Sequence, residues 1–384
     1  MPLASIIINN FNYGRFIGDA IESALAQTYA NNEVIIVDDG STDNSREIIA
    51  SYANRVQCVF KANGGQGSAL NAGFAASRGD FVFFLDSDDV LFPDAVSNVI
   101  QEFEAAPSRL AKVQWPLWIV DENGNRRGDT KPPQPPPQGD FRDAVLAGGP
   151  TSCISSPTSG NAWARWYLNL VMPIPEDVPY YRLCADEYLY TLAPVFGPVR
   201  TIARPQGLYR IHGNNVYSSL TFEKRLKLEL DGHEQQSQAL AKVLRRHGIE
   251  VDLQQWRDRS WFHRLKWSIE QLRQLLPPNG ELVLIDDDTL DAKHALGPMR
   301  VTLFNERDGK YWGAPTDDAS AIAELNRLRS IGATHLAIVW PALWWIEHYS
   351  KLFTELESTS CCVLRDPRMT VYDLRSPTGA EADV

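Results

Sequence analysis

The clearest structural signal in this chain is the segment EVIIVDDGSTD, residues Glu33–Asp43. It opens with a nearly continuous apolar, β-branched run, which favours a strand buried on both faces of a parallel sheet. Similar runs occur at Ser5–Ile8, Val56–Phe60 and Phe81–Leu85, and segments with helical apolar spacing, such as Phe16–Leu25, separate them. This alternation predicts right-handed βαβ units, so we expect a mostly parallel, Rossmann-like α/β sheet in the N-terminal half.

The length of 384 residues exceeds what one hydrophobic core usually serves, so we expect more than one domain. Residues 221–276 consist mainly of helix formers, and Pro277–Gly280 is a strong helix break. After this break, strands are predicted at 282–285, 301–303, 335–339 and 370–374, with a helix at 319–329. We therefore predict an α/β domain over 1–220, a helical connector over 221–278 and a smaller Rossmann-like α/β domain over 279–384.

The composition excludes several classes of protein. Lys and Arg total 37 against 48 Asp and Glu, and this net charge of −11 without a basic stripe argues against nucleic-acid binding. The five cysteines show no metal or disulfide spacing, which favours a reducing compartment. No signal peptide is visible, and the longest apolar stretch, Leu336–Ile346, is shorter than the roughly 18 residues of a membrane span. We expect a cytoplasmic protein.

Acidic clusters follow two of the predicted strands, at Asp38–Asp39 and at Asp86–Asp89. Because ligands of an open parallel sheet bind beyond the carboxyl ends of its strands, both clusters are expected at one binding edge. Their mutual repulsion needs a cation or hydrogen-bond donors to offset it, and Mg²⁺ or Mn²⁺ holding a diphosphate is a natural solution. The alternative is local: helix capping by the first cluster and a turn at the second. The loop Gly64–Gly67 can also bring backbone N–H groups to an anion, but it lacks nucleotide-loop spacing.

Five segments together resemble glycosyltransferase family 2 in order and spacing. They are IIINNFNY (Ile6–Tyr13), SALAQTY (Ser23–Tyr29), Glu33–Asp43, NGGQGSALNAG (Asn63–Gly73) and LDSDD (Leu85–Asp89), and YRIHGNN (Tyr209–Asn215) resembles the motif that often closes the catalytic domain. The resemblance covers residues 1–217 and implies a GT-A fold. It implies inverting transfer of a sugar from a nucleoside diphosphate sugar, commonly UDP-linked, to a saccharide or glycolipid hydroxyl in cell-envelope or exopolysaccharide synthesis.

The resemblance also implies how the nucleotide is bound. Asn10 and Phe11 would pack against the base, through the Asn10 backbone and the Phe11 ring. Asp38 or Asp39 would accept a hydrogen bond from the base or the ribose, and Asn71 would face the donor from a helix. These residues form the nucleotide-sugar site that the family pattern predicts.

The metal site is implied at the DxD position, Asp86-Ser87-Asp88. Asp88 would be the direct ligand of Mn²⁺ or Mg²⁺, and Asp86, with Ser87 beside it, would lie nearer the ribose or the sugar. His212 matches a histidine that reaches the metal or the phosphate in part of this fold, although a histidine in such a segment is often structural. Asp88 and His212 are therefore the predicted metal ligands.

Inverting transfer needs a general base, which the family usually supplies from a Glu-Asp pair opening a helix. Here the order is reversed, Asp186-Glu187, and adjacent helix positions point about 100° apart, so we expect only one of them to face the cleft. We favour Asp186 because the side with Leu189 and Leu192 would pack inward, and Glu187 stays open. A capping aspartate beside a solvated glutamate is the structural alternative.

Acceptor recognition is expected between the DxD motif and the base. Asn161 and Trp163 are candidates, since aromatic faces stack on sugar rings, although core packing is the favoured explanation for any single tryptophan. The segment 256–273 mixes tryptophans with cations, which fits either peripheral contact with the inner membrane face or an interdomain helix. Lipid-linked acceptors would suit such contact, and a homodimer stays open. One functional alternative is an inactive nucleotide-sugar-binding or scaffold protein. Another is a nucleotidyltransferase, but the sequence lacks the basic, Gly-rich N-terminal loop that such an enzyme needs to bind a triphosphate.

Overall fold

The computed structural model describes residues 1–213, 220–277, 280–290, 295–296 and 299–375. The helices in these ranges are α1 (Ile17–Leu25), α2 (Ser45–Ser51), α3 (Gln66–Ala76), α4 (Ala95–Ala105), α5 (Arg142–Gly148), α6 (Arg165–Val171), α7 (Ala185–Phe196), α8 (Phe222–Arg246), α9 (Leu253–Arg259), α10 (Trp261–Leu275), α11 (Asp318–Ser330), α12 (Trp344–His348) and α13 (Ser350–Thr359). The strands are β1 (Ala4–Asn10), β2 (Asn32–Asp38), β3 (Gln57–Phe60), β4 (Phe81–Asp86), β5 (Val90–Leu91), β6 (Lys112–Gln114), β7 (Leu117–Val120), β8 (Arg126–Lys131), β9 (Asn161–Ala164), β10 (Val199–Thr201), β11 (Gly207–Arg210), β12 (Glu281–Ile285), β13 (Arg300–Leu303), β14 (Glu306–Arg307), β15 (Lys310–Tyr311), β16 (His335–Val339), β17 (Cys361–Asp366) and β18 (Met369–Asp373).

The chain divides into two compact units. The first contains Met1–Leu220 and Lys227–Ser260, and the second contains Thr221–Leu226 and Trp261–Val384. The helical segment 221–278, predicted as a connector, is thus divided between the units rather than standing apart. Pro278 and Asn279 of the predicted helix break lie outside the described residues, as do Asn214 and Asn215 of the predicted closing motif.

The first unit is built on a seven-stranded sheet in the order β10-β6-β9-β4-β1-β2-β3. Strands β1 to β4 run parallel, as the apolar runs predict, and β9 is antiparallel to both β4 and β6. The register pairs Asn10 with Asp38 and Asn9 with Asp86, so the carboxyl ends of β1, β2 and β4 meet at one edge. The predicted binding edge therefore exists.

Burial on both faces explains why these strands are continuous apolar runs. Ile6 and Ile8 of β1 belong to one core, whereas Ile7 between them belongs to the core on the opposite face. Alternate residues of a strand point to opposite faces, so each face needs its own cover. Helices α1 and α4 contribute to the first core, and α3, α6, α7 and α8 contribute to the second.

A smaller four-stranded sheet, in the order β5-β11-β7-β8, extends the edge where the site lies. Strand β5 begins directly after the DxD cluster and pairs antiparallel with β11, whose register places Gly207 opposite Leu91. The residues that follow β11 are therefore carried back to the aspartates that precede β5. This pairing brings His212 to Asp88.

The second unit is a separate α/β structure with the sheet order β13-β12-β16-β18-β17. Strands β13, β12 and β16 are parallel to one another, and β18 is antiparallel to both of its neighbours, β16 and β17. Residues of α11 and α13 fill one core, and residues of α10 fill another. The strands and the helix predicted beyond residue 280 are confirmed to within about two residues at their ends.

The mixed tryptophan and cation segment contributes side chains to the protein interior. Trp256 is 1% exposed and its indole N–H donates to the carbonyl of Leu146 at 2.8 Å. In the second unit the guanidinium of Arg368 lies 3.6 Å from the ring centroid of Trp267. None of the described helices is both long and apolar enough to cross a membrane.

Candidate active site

A cavity of about 960 Å³ opens at the edge where β1, β2 and β4 end. The predicted site residues in its wall are Asn10, Phe11, Asp39, Asp86, Ser87, Asp88, Asp186 and Glu187. The structure thus brings together side chains from four distant parts of the chain. The predicted residues Asp38, Asn71, Asn161 and Trp163 are not in this wall, and His212 lies behind it, in contact with the wall residues Asp88 and Tyr13.

Asp39 and Phe11 occupy the side of the cavity predicted for the nucleotide. Asp39 is 2% exposed and accepts hydrogen bonds from the backbone N–H groups of Gly64 (2.9 Å) and Gly65 (2.7 Å) and from Lys61 Nζ (2.6 Å). The glycine loop therefore serves this carboxylate rather than an external anion. The Phe11 side chain is 43% exposed, which leaves its ring accessible at the wall.

Asp38 is a structural carboxylate rather than a wall residue. It is fully buried and accepts hydrogen bonds from Arg46 Nε at 2.8 Å and from the backbone N–H of Ser41 at 3.1 Å. The amide of Asn10 also donates to it at 3.1 Å. Burial alone raises the pKa of Asp38, but these hydrogen bonds together hold it below its ordinary value. Of the two adjacent aspartates, Asp39 is therefore the one that lines the cavity.

The DxD carboxylates lie at the end of β4 and are held by their neighbours. Asn9 Nδ2 donates to Asp86 Oδ1 at 2.8 Å, and burial together with the charge of Asp88 raises the pKa of Asp86 to about 7. The side chain of Arg210, from β11, donates through Nε to the backbone carbonyl of Asp88 at 3.0 Å. His212 Nε2 lies 2.9 Å from Asp88 Oδ2.

These groups fit a hard divalent cation held by few protein ligands. Asp88 supplies a carboxylate oxygen and His212 an imidazole nitrogen in contact with it, and the histidine ring is kept in place by the rings of Tyr13 and Phe16. Within the described ranges no group of three or more His, Cys, Asp and Glu side chains is arranged around one metal position. Mg²⁺ in phosphate-transfer sites is commonly bound through one or two carboxylates plus substrate phosphates, which matches this donor set.

The Asp186-Glu187 pair opens α7, and an amide from another helix caps that opening. Cys184 precedes the helix without a side-chain cap, and instead Gln66 Oε1 accepts from the backbone N–H of Ala185 at 2.8 Å. Gln66 Nε2 also donates to Thr158 Oγ1 at 3.3 Å and lies 3.5 Å from the Oδ1 atom of the first DxD aspartate. Gln66 therefore ties the start of α7 to the end of β4.

Both members of the pair line the cavity, which differs from the expectation that only one faces it. Burial raises the pKa of Asp186, and a hydrogen bond with the Thr158 side chain partly opposes the rise. The pKa of Glu187 is raised to about 8, first by burial and then by the charges of Asp186 and Glu229. Gln236 of α8 donates to Glu187 Oε2 at 2.9 Å. Geometry alone leaves either carboxylate in position to act as a base.

Asn71, Asn161 and Trp163 are structural residues, which corrects the roles predicted for them. The Asn71 side chain binds the backbone of Ile174, donating at 2.9 Å and accepting at 2.7 Å. Asn161 donates to the carbonyl of Ser156 at 2.9 Å and is fully buried. Trp163 is 1% exposed because β9 lies inside the main sheet rather than on a loop.

Two cations in the wall were not predicted. Lys131 lies at the end of β8, its Nζ is 3.2 Å from the hydroxyl of Tyr209, and burial lowers its pKa. Arg182 donates to Asn63 Oδ1 at 2.8 Å. Gln66 and Gln236 were also missed. The only sequence signal for any of these four is the position of Gln66, directly after the two glycines of a conspicuous loop.

Comparisons with known proteins identify the family of the chain. The family model described as Glycosyl transferase family 2 matches residues 5–159. An uncharacterised glycosyltransferase of Nostoc sp. is 36% identical over 280 residues, which cover 70% of this chain and 85% of that protein. A hyaluronan synthase of Pasteurella multocida is 45% identical over 106 residues, covering 27% of this chain but only 11% of the synthase. Among solved structures, the chain is similar to S. aureus TarS 1–349 in complex with UDP-GlcNAc. The match covers 67% of this chain and 79% of the TarS chain, at 19% identity and a TM-score of 0.45.

Proposed function

Because this chain belongs to glycosyltransferase family 2, we propose that it is a metal-dependent, inverting enzyme that uses a nucleoside diphosphate sugar, with uridine as the expected base. The acceptor is proposed to be a hydroxyl of a saccharide or glycolipid in cell-envelope or exopolysaccharide synthesis. The observation that carries the proposal is the convergence of Asp39, the DxD aspartates and the Asp186-Glu187 pair on one cavity. The similarity to a protein named hyaluronan synthase supports a saccharide product.

The donor is proposed to lie along the wall from Phe11 to the DxD motif. The exposed Phe11 ring offers an apolar face to the base, and the buried carboxylate of Asp39 offers an acceptor for a base N–H or a ribose hydroxyl. The diphosphate would then lie near Asp88 and His212, which would hold Mn²⁺ or Mg²⁺. When bound, the cation supplies positive charge that offsets the charge developing on the departing diphosphate.

The first-turn carboxylates of α7 are proposed to handle the acceptor proton. The acceptor oxygen attacks the anomeric carbon while its proton passes to Asp186, with Glu187 as the alternative base. The bond between the anomeric carbon and the diphosphate oxygen breaks, and its electron pair leaves with the diphosphate. Partial burial supports this role, because it raises the pKa of Asp186 and so makes the carboxylate a stronger base.

The experiment measures nucleotide binding and sugar transfer separately. A thermal-shift panel of nucleoside diphosphates and their sugars, with and without Mn²⁺, identifies the donor, since a ligand that binds the folded state raises the melting temperature. Asp88→Ala should abolish the Mn²⁺-dependent shift and the release of nucleoside diphosphate. Asp186→Asn should keep the shift and lower kcat by about 10²- to 10⁴-fold. Asp143→Asn is the matched control, because Asp143 is an exposed aspartate in the first turn of α5.

Three outcomes would count against these assignments. An Asp88→Ala variant that keeps Mn²⁺-dependent binding would remove the DxD metal site from the proposal. Normal turnover in Asp186→Asn together with loss in Glu187→Gln would transfer the role of base to Glu187. A folded wild-type protein that binds nucleotide sugars but never cleaves them would favour an inactive binding or scaffold protein.

A further inference from the structure

From Lys227 onward, helix α8 belongs to the first unit and packs near the start of α7, although it lies beyond the residues matched by the family model. Gly232 approaches Tyr180 so closely that a Cβ atom there would stand 2.1 Å from the tyrosine ring. The next turn adds a polar contact, since Gln235 Oε1 accepts from the backbone N–H of Tyr180 at 3.0 Å. Leu240 and Leu244, further along the same face, are buried in the core that also contains α7. The placement of α8 against α7 is therefore tightly defined.

From this face, one side chain of α8 contacts the cavity carboxylates. Gln236 is 2% exposed, and its Nε2 atom donates to Glu187 Oε2 at 2.9 Å. Its Oε1 atom is buried without a hydrogen-bond partner among the described residues. A buried amide with one unsatisfied atom costs stability, so a hydrophobic residue would suit packing alone better. The hydrogen bond from this amide to a wall carboxylate of the cavity therefore indicates a functional role for Gln236.

The surroundings show why Glu187 needs a fixed partner. Its neighbours include the carboxylates of Asp186, on the same helix, and Glu229, on α8, both of which repel its ionised form. The side chain of Tyr180 favours the ionised form, and the charge of Glu187 acts in turn on Tyr181. Against this repulsion, the hydrogen bond from Gln236 restricts the orientation of the Glu187 carboxyl.

We propose that Gln236 is a positioning residue, which holds the Glu187 carboxyl in the orientation that sugar transfer requires, so that α8 completes the active site. The inference rests on the proposed function, because it assigns Glu187 to the reacting pair or to its immediate support. It adds a part of the chain, beyond the matched catalytic segment, on which turnover depends. Small displacements of a reacting group can cost about 10²-fold in rate, so the expected effect is large enough to measure.

The test compares three variants of the full chain. Gln236→Leu removes the donor while keeping the size of the side chain approximately. Gln236→Glu is nearly isosteric and donates an O–H to Glu187 only while the new carboxyl is protonated. Gln238→Leu is the matched control on the same helix, where Gln238 donates to Glu234 on the exposed side. The assay follows release of nucleoside diphosphate from UDP-, GDP- and TDP-hexoses with Mn²⁺, and melting temperatures confirm folding.

We expect Gln236→Leu to lower kcat by roughly 10- to 100-fold, with the donor KM within about threefold of wild type. Gln238→Leu should match wild type. The ratio of Gln236→Glu activity to wild-type activity should fall as the pH rises from about 6 to 8, because deprotonation replaces the donor with a repelling charge. A purely structural role would give no such dependence, and this variant decides the matter if Gln236→Leu does not fold.

The failures are distinguishable. A wild-type protein that releases no nucleoside diphosphate from any of these donors overturns the proposed function and this inference together. An active wild type with an unchanged kcat in folded Gln236→Leu, or with a flat pH ratio for Gln236→Glu, overturns only the role of Gln236.

Discussion

Glu187 offers a direct test of the electrostatics of the cavity through the change Glu187→Gln. Its pKa is raised from 4.5 to about 8, chiefly by burial and then by the charges of Asp186 and Glu229. A carboxyl whose pKa is higher in the folded state binds its proton more tightly there, so its contribution to stability is complete below pH 4.5 and is lost as the pH rises to about 8. Glutamine has no such proton to lose. The variant should therefore gain stability over wild type with increasing pH.

The size of the gain follows from the shift. Each unit of pKa corresponds to about 1.4 kcal/mol, which sets an upper limit of about 4 to 5 kcal/mol above pH 8. Because Glu187 is only partly buried, solvent screening should reduce the gain to roughly 2 kcal/mol near pH 9, with almost none near pH 4.5. Urea unfolding across this range, followed by tryptophan fluorescence, measures the difference. Glu47→Gln, an exposed glutamate of α2, is the control. A variant-minus-wild-type difference that stays constant with pH would refute the assigned burial of Glu187.

Two further predictions concern α3. Gln66→Leu removes the cap on α7 and should cost about 0.5 to 2 kcal/mol of stability and about 10-fold or more in kcat. Gln66→Glu keeps the accepting oxygen but places a carboxylate beside Asp86, so it should lose activity and retain only part of the stability; urea unfolding and donor cleavage separate the two effects. Gly73→Ala should destabilise the protein by about 1 to 3 kcal/mol, because its Cβ would stand 2.2 Å from Ile7 Cγ2. Gly18→Ala in α1, where nothing lies within 4 Å, is the control and should be neutral or stabilising. Thermal unfolding measures both, and equal effects of the two alanines would contradict the packing.

The strands of the main sheet are predictable from the sequence where each strand is itself a continuous apolar run. Strands β1, β2 and β4 are continuous apolar runs, and their ends follow from the polar residues that succeed them. Strand β9 is different, because its four residues, NAWA, carry no periodic signal. Its burial arises from pairing with β4 and β6, which are distant in the chain, so Asn161 and Trp163 resembled loop residues suited to an acceptor.

The carboxylates of the site were predictable because each stands at the end of a strand or the start of a helix. Which of Asp38 and Asp39 lines the cavity could not be predicted. Successive residues of extended backbone point to opposite sides, and the sequence does not show which side carries the cavity. Some residues at the site have side chains of the types that usually lie on protein surfaces, so the sequence alone does not single them out. These are Gln66, Gln236 and Lys131, and their positions are set by tertiary contacts with distant elements.

The charge balance of the cavity explains why donor binding and metal binding are expected to be coupled. Among the described wall residues, the carboxyl groups of the DxD motif, Asp39 and the Asp186-Glu187 pair outnumber the cations, Lys131 and Arg182, although the raised pKa values of Asp86 and Glu187 leave these two groups partly protonated near neutral pH. A diphosphate entering such a wall alone would meet net repulsion, which is stronger in a partly desolvated cavity than in water. A divalent cation held by Asp88 and His212 would supply positive charge that offsets this repulsion. It follows that the nucleotide sugar should bind as its metal complex, and that removal of the metal should weaken nucleotide binding more than it weakens the fold.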